Sequence, residues 1–271
     1  MRRLVERYVG APALYEELKH KPGRRVTLRT RGPDGSAIVK LYRTDRVAGV
    51  AERISSLASG PAEPELPKVL AVDAGKRMLV LSDVAGVPLR EAVLARNRDE
   101  CRRAGVAIAQ WHRAWKGRTP PPLGRHTIDD ELAVLVDRAS LASREIGVRV
   151  AAALPSVRGG WDSVTVVHRD LYEEQVLLGE RVGLIDLDDI ALGPPELDVG
   201  NLVAHLDLLQ LRLGRDLGAS RTAFLEGYES VAILDRDLLE RCRTLARLRL
   251  ACIHEEPRLL DGDGNGDPET T

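Results

Sequence analysis

No apolar run in this sequence approaches the ~18 residues that a helix needs to cross a bilayer, so no membrane partner is expected. The first ten residues carry arginines but also Glu6, and they lack the apolar stretch of a secretory signal. Cysteine is scarce as well. Cys101, Cys242 and Cys252 are odd in number, far apart and without CxxC spacing. That argues against a disulfide framework or a zinc site, and for a reducing, cytoplasmic location. An excess of positive charge is also missing: the net charge is −1, so no basic field marks nucleic acid as a partner. No internal repeat is present, which sets solenoid architectures aside.

What is there is a chain of 271 residues, 44% hydrophobic and 30% charged, long enough to bury the core of one large domain or two modest ones. Charge is unevenly spread. Residues 1–60 hold thirteen Lys/Arg against six Asp/Glu, whereas His168 to Asp207 holds ten Asp/Glu against two Arg. A basic pole and an acidic pole suit a polyphosphate and its metal lying between them, although any single one of these side chains is most simply a solvated surface group.

Taken in order, Ala13 to Lys19 fits a strand or a short helix, and His20 to Arg25 is a loop with Lys21, Arg24 and Arg25 at its tip. Val26 to Thr30 and Ala37 to Tyr42 alternate around Gly32-Pro33-Asp34-Gly35, a hairpin signal. Lys40 lies inside the second of these strands, where a lysine ordinarily points to solvent. Thr44 is placed to cap a helix running to about Ser59, with Val47, Val50, Ile54 and Leu57 on one face. A Pro/Glu-rich linker (61–67) precedes two more strands, Val69 to Val72 and Met78 to Leu81. The pattern then turns helical: Asn97 to Lys116, a helix opened by Thr127 with Asp130 as its third residue, and segments near Val199–Leu213, Ser220–Ser230 and Leu234–Ile253. The arginines of the last segment are read as a solvated face, and residues 261–271 as a disordered tail.

Within the helical part, Val164 to Asp198 reads as three short strands. Gly179-Glu180-Arg181 turns a hairpin between the last two, so Gln175 and Asp186 return to one edge beside Asp170. Two carboxylates and an amide converging at strand ends could hold a divalent metal and take a proton from a hydroxyl.

With HRDLYEEQ and LIDLDD in place, the chain resembles the aminoglycoside phosphotransferase and choline kinase group of protein-kinase-like enzymes. The group's H-x-D-x-x-x-x-N loop matches at His168, Asp170 and Gln175. Its metal motif matches at Ile185-Asp186-Leu187 and at Pro195 to Asp198, with the two aspartates of the loops sixteen residues apart. Leu79 to Leu89 is similar to its hinge, and AIVK to its nucleotide-anchoring strand. The resemblance implies an α+β, two-lobed protein-kinase-like fold. It would comprise a β-rich nucleotide-binding lobe at 1–82 and a helical lobe at 83–260.

It further implies a small-molecule kinase that moves the γ-phosphoryl of ATP (or GTP), with Mg²⁺, to a hydroxyl of a sugar, aminoglycoside-like or amino-alcohol acceptor. The resemblance assigns Asp170 as the base, Gln175 and Asp186 as metal ligands, and Lys40 as the phosphate anchor. Asp83 and Val84 would offer backbone groups to the adenine edge, His168 would prop the loop, and Asp198 would hold it in place, or else serve as a helix N-cap. Arg169 is structural or solvated.

Three departures stand out. Gln175 replaces Asn, the phosphate-covering loop Lys21 to Arg25 has one glycine, and Glu52 lies off the helix face from which a partner for Lys40 should come. These favour a rival reading as a non-catalytic binding protein on a kinase-like fold. The acidic run of Asp188, Asp189 and Glu196 suggests a cationic acceptor.

Overall fold

The chain is described by a computed structural model over residues 2–58, 60, 63–118, 122–161 and 163–261. It begins with a helix, α1 (Arg2–Val9), that the charged composition of this stretch conceals. Next come β1 (Leu14–Lys21), β2 (Arg25–Gly32), β3 (Gly35–Tyr42), α2 (Val47–Ser56), β4 (Val69–Asp73) and β5 (Met78–Ser82). The five strands form one antiparallel sheet in the order β1-β2-β3-β5-β4.

Alternation along the central strands sorts their side chains between two layers. Ala37, Val39, Met78 and Val80 pack with Val5 and Val9 of α1 on the outer face. Tyr42, Leu79 and Leu81 join Val50 and Ile54 of α2 in the main core on the inner face. Lys40 shares the inner parity and is only 4% exposed, contrary to the ordinary behaviour of a strand lysine.

Two local expectations need correction. Thr44 does not cap α2, which starts at Val47 with Arg46 at the N-cap position and no side-chain cap; Arg77 pairs with Asp45 (2.6 Å) and donates to the Arg43 carbonyl (2.9 Å) in the preceding turn. The stretch read as a linker is instead docked where it is described. The Glu65 N–H donates to the Val182 carbonyl, and its own carbonyl accepts from Leu184.

Beyond β5 the chain is mainly helical: α3 (Leu89–Leu94), α4 (Arg98–Trp115), α5 (Ile128–Leu141), α6 (Arg144–Val157), α7 (Pro195–Leu213), α8 (Gly218–Glu229) and α9 (Arg236–His254). Asn97 caps α4, and Thr127 with Asp130 forms the reciprocal capping box expected for α5. Short strands interrupt the helices: β6 (Val87–Pro88), β7 (Thr165–Val167), β8 (Val176–Leu178), β9 (Val182–Leu184) and β10 (Ala191–Gly193). β8 and β9 make the predicted hairpin, β6 extends it, and β7 pairs with β10.

The arginines of α9 are not simply a solvated face. Arg243 is ion-paired to Asp207 (2.8 Å), and Arg249 reaches Glu131 (3.3 Å) and Asn201 (2.5 Å). Of the tail read as disordered, Asp261 pairs with Arg149 (2.6 Å), and 262–271 lie outside the described residues. No helix among the described residues is long and apolar enough to cross a membrane.

Packing of α4 against α8 depends on two glycines. A Cβ on Gly105 would lie 2.1 Å from the Phe224 carbonyl oxygen, and one on Gly227 would lie 2.1 Å from that of Arg102. Neither obstacle is a flexible side chain, so the helices must separate to admit a methyl group. Gly105→Ala is expected to destabilise the fold by about 1–3 kcal/mol despite its better helix propensity. Urea unfolding of the two proteins checks this, and an unchanged or raised midpoint would contradict the close approach.

Candidate functional site

The loop between β7 and β8 is tied down by buried Asp198. Its carboxylate accepts the main-chain N–H of His168 (2.6 Å) and of Arg169 (2.7 Å), and His112 Nε2 lies 3.1 Å away. On the far side of that imidazole, Nδ1 meets the Tyr228 hydroxyl at 2.8 Å. His168 props the loop from within: Nε2 donates to the Ile185 carbonyl (2.8 Å), which leaves Nδ1 to accept the Asp170 N–H (3.3 Å). Asn201 donates to the Leu171 carbonyl (2.8 Å). Arg169 adopts φ +71° and its guanidinium reaches the Asp189 carbonyl (3.3 Å), a structural role. So held, the loop leaves Asp170 half-exposed at its edge.

At the end of β9, Asp186 takes a left-handed conformation (φ +66°), a strained setting for a residue other than glycine. Lys40 donates to it (2.8 Å) and to Asp188 (2.5 Å); Arg25 pairs with Asp186 (2.5 Å) and also with Asp188; and the Tyr42 hydroxyl donates to Asp188 (3.0 Å). Burial on its own would raise the Asp186 pKa. Lys40 and Arg25 outweigh burial and hold the carboxyl well below the usual range. The acid that meets Lys40 therefore comes from the segment after β9 and not from α2, where Glu52 is exposed. α2 contributes Arg53 instead, whose guanidinium donates to the Asp188 carbonyl (2.8 Å).

Gln175 sits just before β8, tied to the hairpin by its own carbonyl, which accepts the Ile185 N–H (3.0 Å). Its side chain is 2% exposed, and Oε1 is buried without a hydrogen-bond partner. Such an orphan oxygen is costly unless something satisfies it. Gln175 lines the same cavity of about 650 Å³ as Lys40, Arg25 and Asp186. Ile38, Leu81, Leu177 and Ile185 supply apolar walls to that cavity, and Ser82, Asp83 and Val84 also border it. Asp83 spends its carboxylate on Arg29 (2.9 Å), while the main-chain N–H and C=O of Asp83 and Val84 take no main-chain partner among the described residues.

The donor set fits a hard divalent cation shared with phosphates: one carboxylate and one amide oxygen, with room for oxygens from the ligand. Among the described residues there is no group of three or more His, Cys, Asp or Glu suited to hold a metal by itself. Every predicted site residue except Asp170 lies on this cavity. Asp170 lines a second cavity of about 410 Å³ that shares Lys19, Tyr172 and Glu174 with the first.

Several residues here escaped the sequence reading. Tyr42, Arg53 and His112 carried no motif. Arg25 was visible only as a loop-tip cation. The acids suggested as an acceptor-recognising run are placed elsewhere: Asp188 is buried on Lys40, Asp189 pairs with Arg46 (2.7 Å), and Glu196 accepts the Asp235 N–H (3.0 Å).

Among solved structures, the chain is similar to aminoglycoside phosphotransferase APH(3'')-Id from Streptomyces rimosus. Identity is 22%, covering 87% of this chain and 92% of that one, with a TM-score of 0.62. A choline/ethanolamine kinase family protein from Mesorhizobium loti matches at 16% identity, covering 95% and 85%, with a TM-score of 0.66. Amicoumacin kinase hAmiN, solved with AMP-PNP and Ca²⁺, matches at 15% identity, covering 88% and 80%, with a TM-score of 0.67. At these identities the likeness shows the α+β, protein-kinase-like fold. No curated protein matches the chain. The family model described as the phosphotransferase enzyme family, however, matches residues 21–242, and the chain belongs to that family of small-molecule kinases.

Proposed function

We propose that the protein transfers the γ-phosphoryl group of ATP, in a Mg²⁺-dependent reaction, to a hydroxyl of a small molecule, with residues 1–82 contributing most of the nucleotide site. The observation that carries this reading is that Gln175, whose Oε1 is buried without a partner, borders the same cavity as Asp186 and Lys40, with Asp170 on the adjoining one. The apolar walls suit a purine, and the free main-chain groups of Asp83 and Val84 suit its polar edge. A structure with AMP-PNP bound to a similarly folded kinase supports the choice of nucleotide. Three buried, unpaired thiols accord with a cytoplasmic setting.

In this reading Asp170 orients the acceptor hydroxyl and takes its proton as the oxygen bonds to the γ-phosphorus and the bond to the β-phosphate oxygen breaks, releasing ADP. Lys40 and Arg25 exchange part of their contact with Asp186 and Asp188 for phosphate oxygens. That exchange keeps their charges compensated in a buried place. Gln175 and Asp186 would hold Mg²⁺, which when bound offsets charge on the phosphates. The extra methylene of Gln175 belongs to a buried residue that borders this cavity.

Asp170→Asn is expected to lower kcat by about 10²–10⁴-fold while leaving nucleotide binding near that of the parent, because the base touches only the acceptor side. Transfer from γ-labelled ATP and AMP-PNP titration measure the two quantities, and an unaltered rate would remove Asp170 from the mechanism. A second expectation concerns Gln175. AMP-PNP should raise the thermal midpoint of the parent, and Mg²⁺ should raise it further, whereas Gln175→Leu should keep the first increment and lose the second. Absence of any nucleotide-dependent shift at saturating concentration would favour the non-catalytic, kinase-like binding protein instead.

A further inference from the structure

The cavity beside Asp170 lies among the catalytic loop, the C-terminal half of α7 and the last turns of α9. Its lining carries Lys19, Lys21, Arg90, Arg212 and Arg249 against Asp170, Glu173 and Glu174. Of the three acids, Glu173 and Glu174 are met by Arg90 at 3.8 and 3.2 Å. The cations do not cancel in the same way. Arg249 is held by Glu131 and Asn201, but Arg212 is exposed and Lys21 half-buried, and neither has an ion-pair partner among the described residues.

The charges are also sorted in space. Tyr172 and His205 stack with ring centroids 4.7 Å apart. Burial raises the Tyr172 pKa first, and the charges that add to it are Asp170, Asp186, Glu173 and Glu174. Burial likewise dominates at His205, whose pKa falls to about 3, and the charges that add there are Arg249, His254, Arg212 and Lys19. Of the lining residues, Arg212 and Arg249 come from α7 and α9, whereas Asp170, Glu173 and Glu174 come from the loop before β8. A ligand that places an anionic group toward Arg212 is favoured there, and one with a cationic group on that side must bring it against a guanidinium with no ion-pair partner among the described residues.

We propose that the acceptor bears an anionic group, a carboxylate or phosphate, remote from the hydroxyl to be phosphorylated, and that Arg212, backed by Arg249, receives it. The inference rests on the phosphotransferase reading, since Asp170 defines which end is the hydroxyl end. It departs from the cationic acceptor suggested by Asp188, Asp189 and Glu196, none of which lines this cavity.

Glucosamine, glucose and glucose 6-phosphate present one ring with positive, neutral and negative charge. With the full chain saturated by AMP-PNP and Mg²⁺, affinity is expected to rise in that order. Glucose 6-phosphate should bind about tenfold more tightly than glucosamine at low ionic strength, and the gap should close as salt is added. Arg212→Glu should invert the order. Equal affinities, tighter binding of glucosamine, or no measurable binding of glucose 6-phosphate would overturn the inference. The stabilisation by AMP-PNP recorded on the same samples separates the two conclusions. Where it persists, only the anionic acceptor falls; where it is absent, the phosphotransferase reading falls with it.

Discussion

Asp186 and Asp188 stand within three residues of each other and are both withdrawn from water, an arrangement that would cost several kcal/mol per charge if left unanswered. The answer comes from the other part of the molecule. Lys40 and Tyr42 on β3 and Arg25 at the start of β2 reach across to the two carboxylates, while Arg53 of α2 takes the Asp188 carbonyl. The N-terminal sheet is therefore tied to the hairpin by mutual compensation of charge as well as by apolar area. Side-chain parity on β3 makes this possible, because it puts Lys40 and Tyr42 on the face that looks inward. The cavity proposed to receive a nucleotide borders this junction, with Lys40, Arg25 and Asp186 in its lining.

A second constraint operates behind the loop. Asp198 accepts two successive main-chain N–H groups and faces His112, which in turn touches Tyr228. One carboxylate thereby connects α4, α7 and α8 to the loop that carries Asp170. The glycines at the α4–α8 crossing serve the same end, since the separation of those helices determines where His112 and Tyr228 can meet. Packing remote from the chemistry in this way limits how far Asp170 can wander.

Much of this was legible in the residues. The β2–β3 hairpin, the apolar face of α2, the capping box of α5 and the hairpin that returns Gln175 to Asp186 each followed from a local pattern with a short range of action. α1 was missed because its residues are mostly charged and only Val5 and Val9 mark its buried stripe. α6 was obscured by Gly147 and Pro155, and α2 starts two residues later than a Thr44 cap would set it, after a turn in which Arg77 pairs with Asp45. At the site, Asp170, Asp186 and Gln175 could be named from spacing within one stretch. The partners of Lys40 could not, since the choice between Glu52 and Asp188 depends on which element closes over β3. The proposed recognition of the acceptor rests on α7 and α9, whose cations carry no motif and acquire meaning only once Arg212 and Arg249 border the cavity of Asp170.

Tyr172, Lys19 and Glu174 form a wall common to both cavities, and Lys19 donates to the Tyr172 hydroxyl (3.1 Å) while lying over its ring. A party wall has a thermodynamic consequence: whatever occupant fixes it on one side alters the free energy of occupying the other. With nucleotide and acceptor in the two cavities as proposed, their binding would be coupled through this wall. The factor by which the nucleotide changes affinity for the acceptor must equal the factor by which the acceptor changes affinity for the nucleotide.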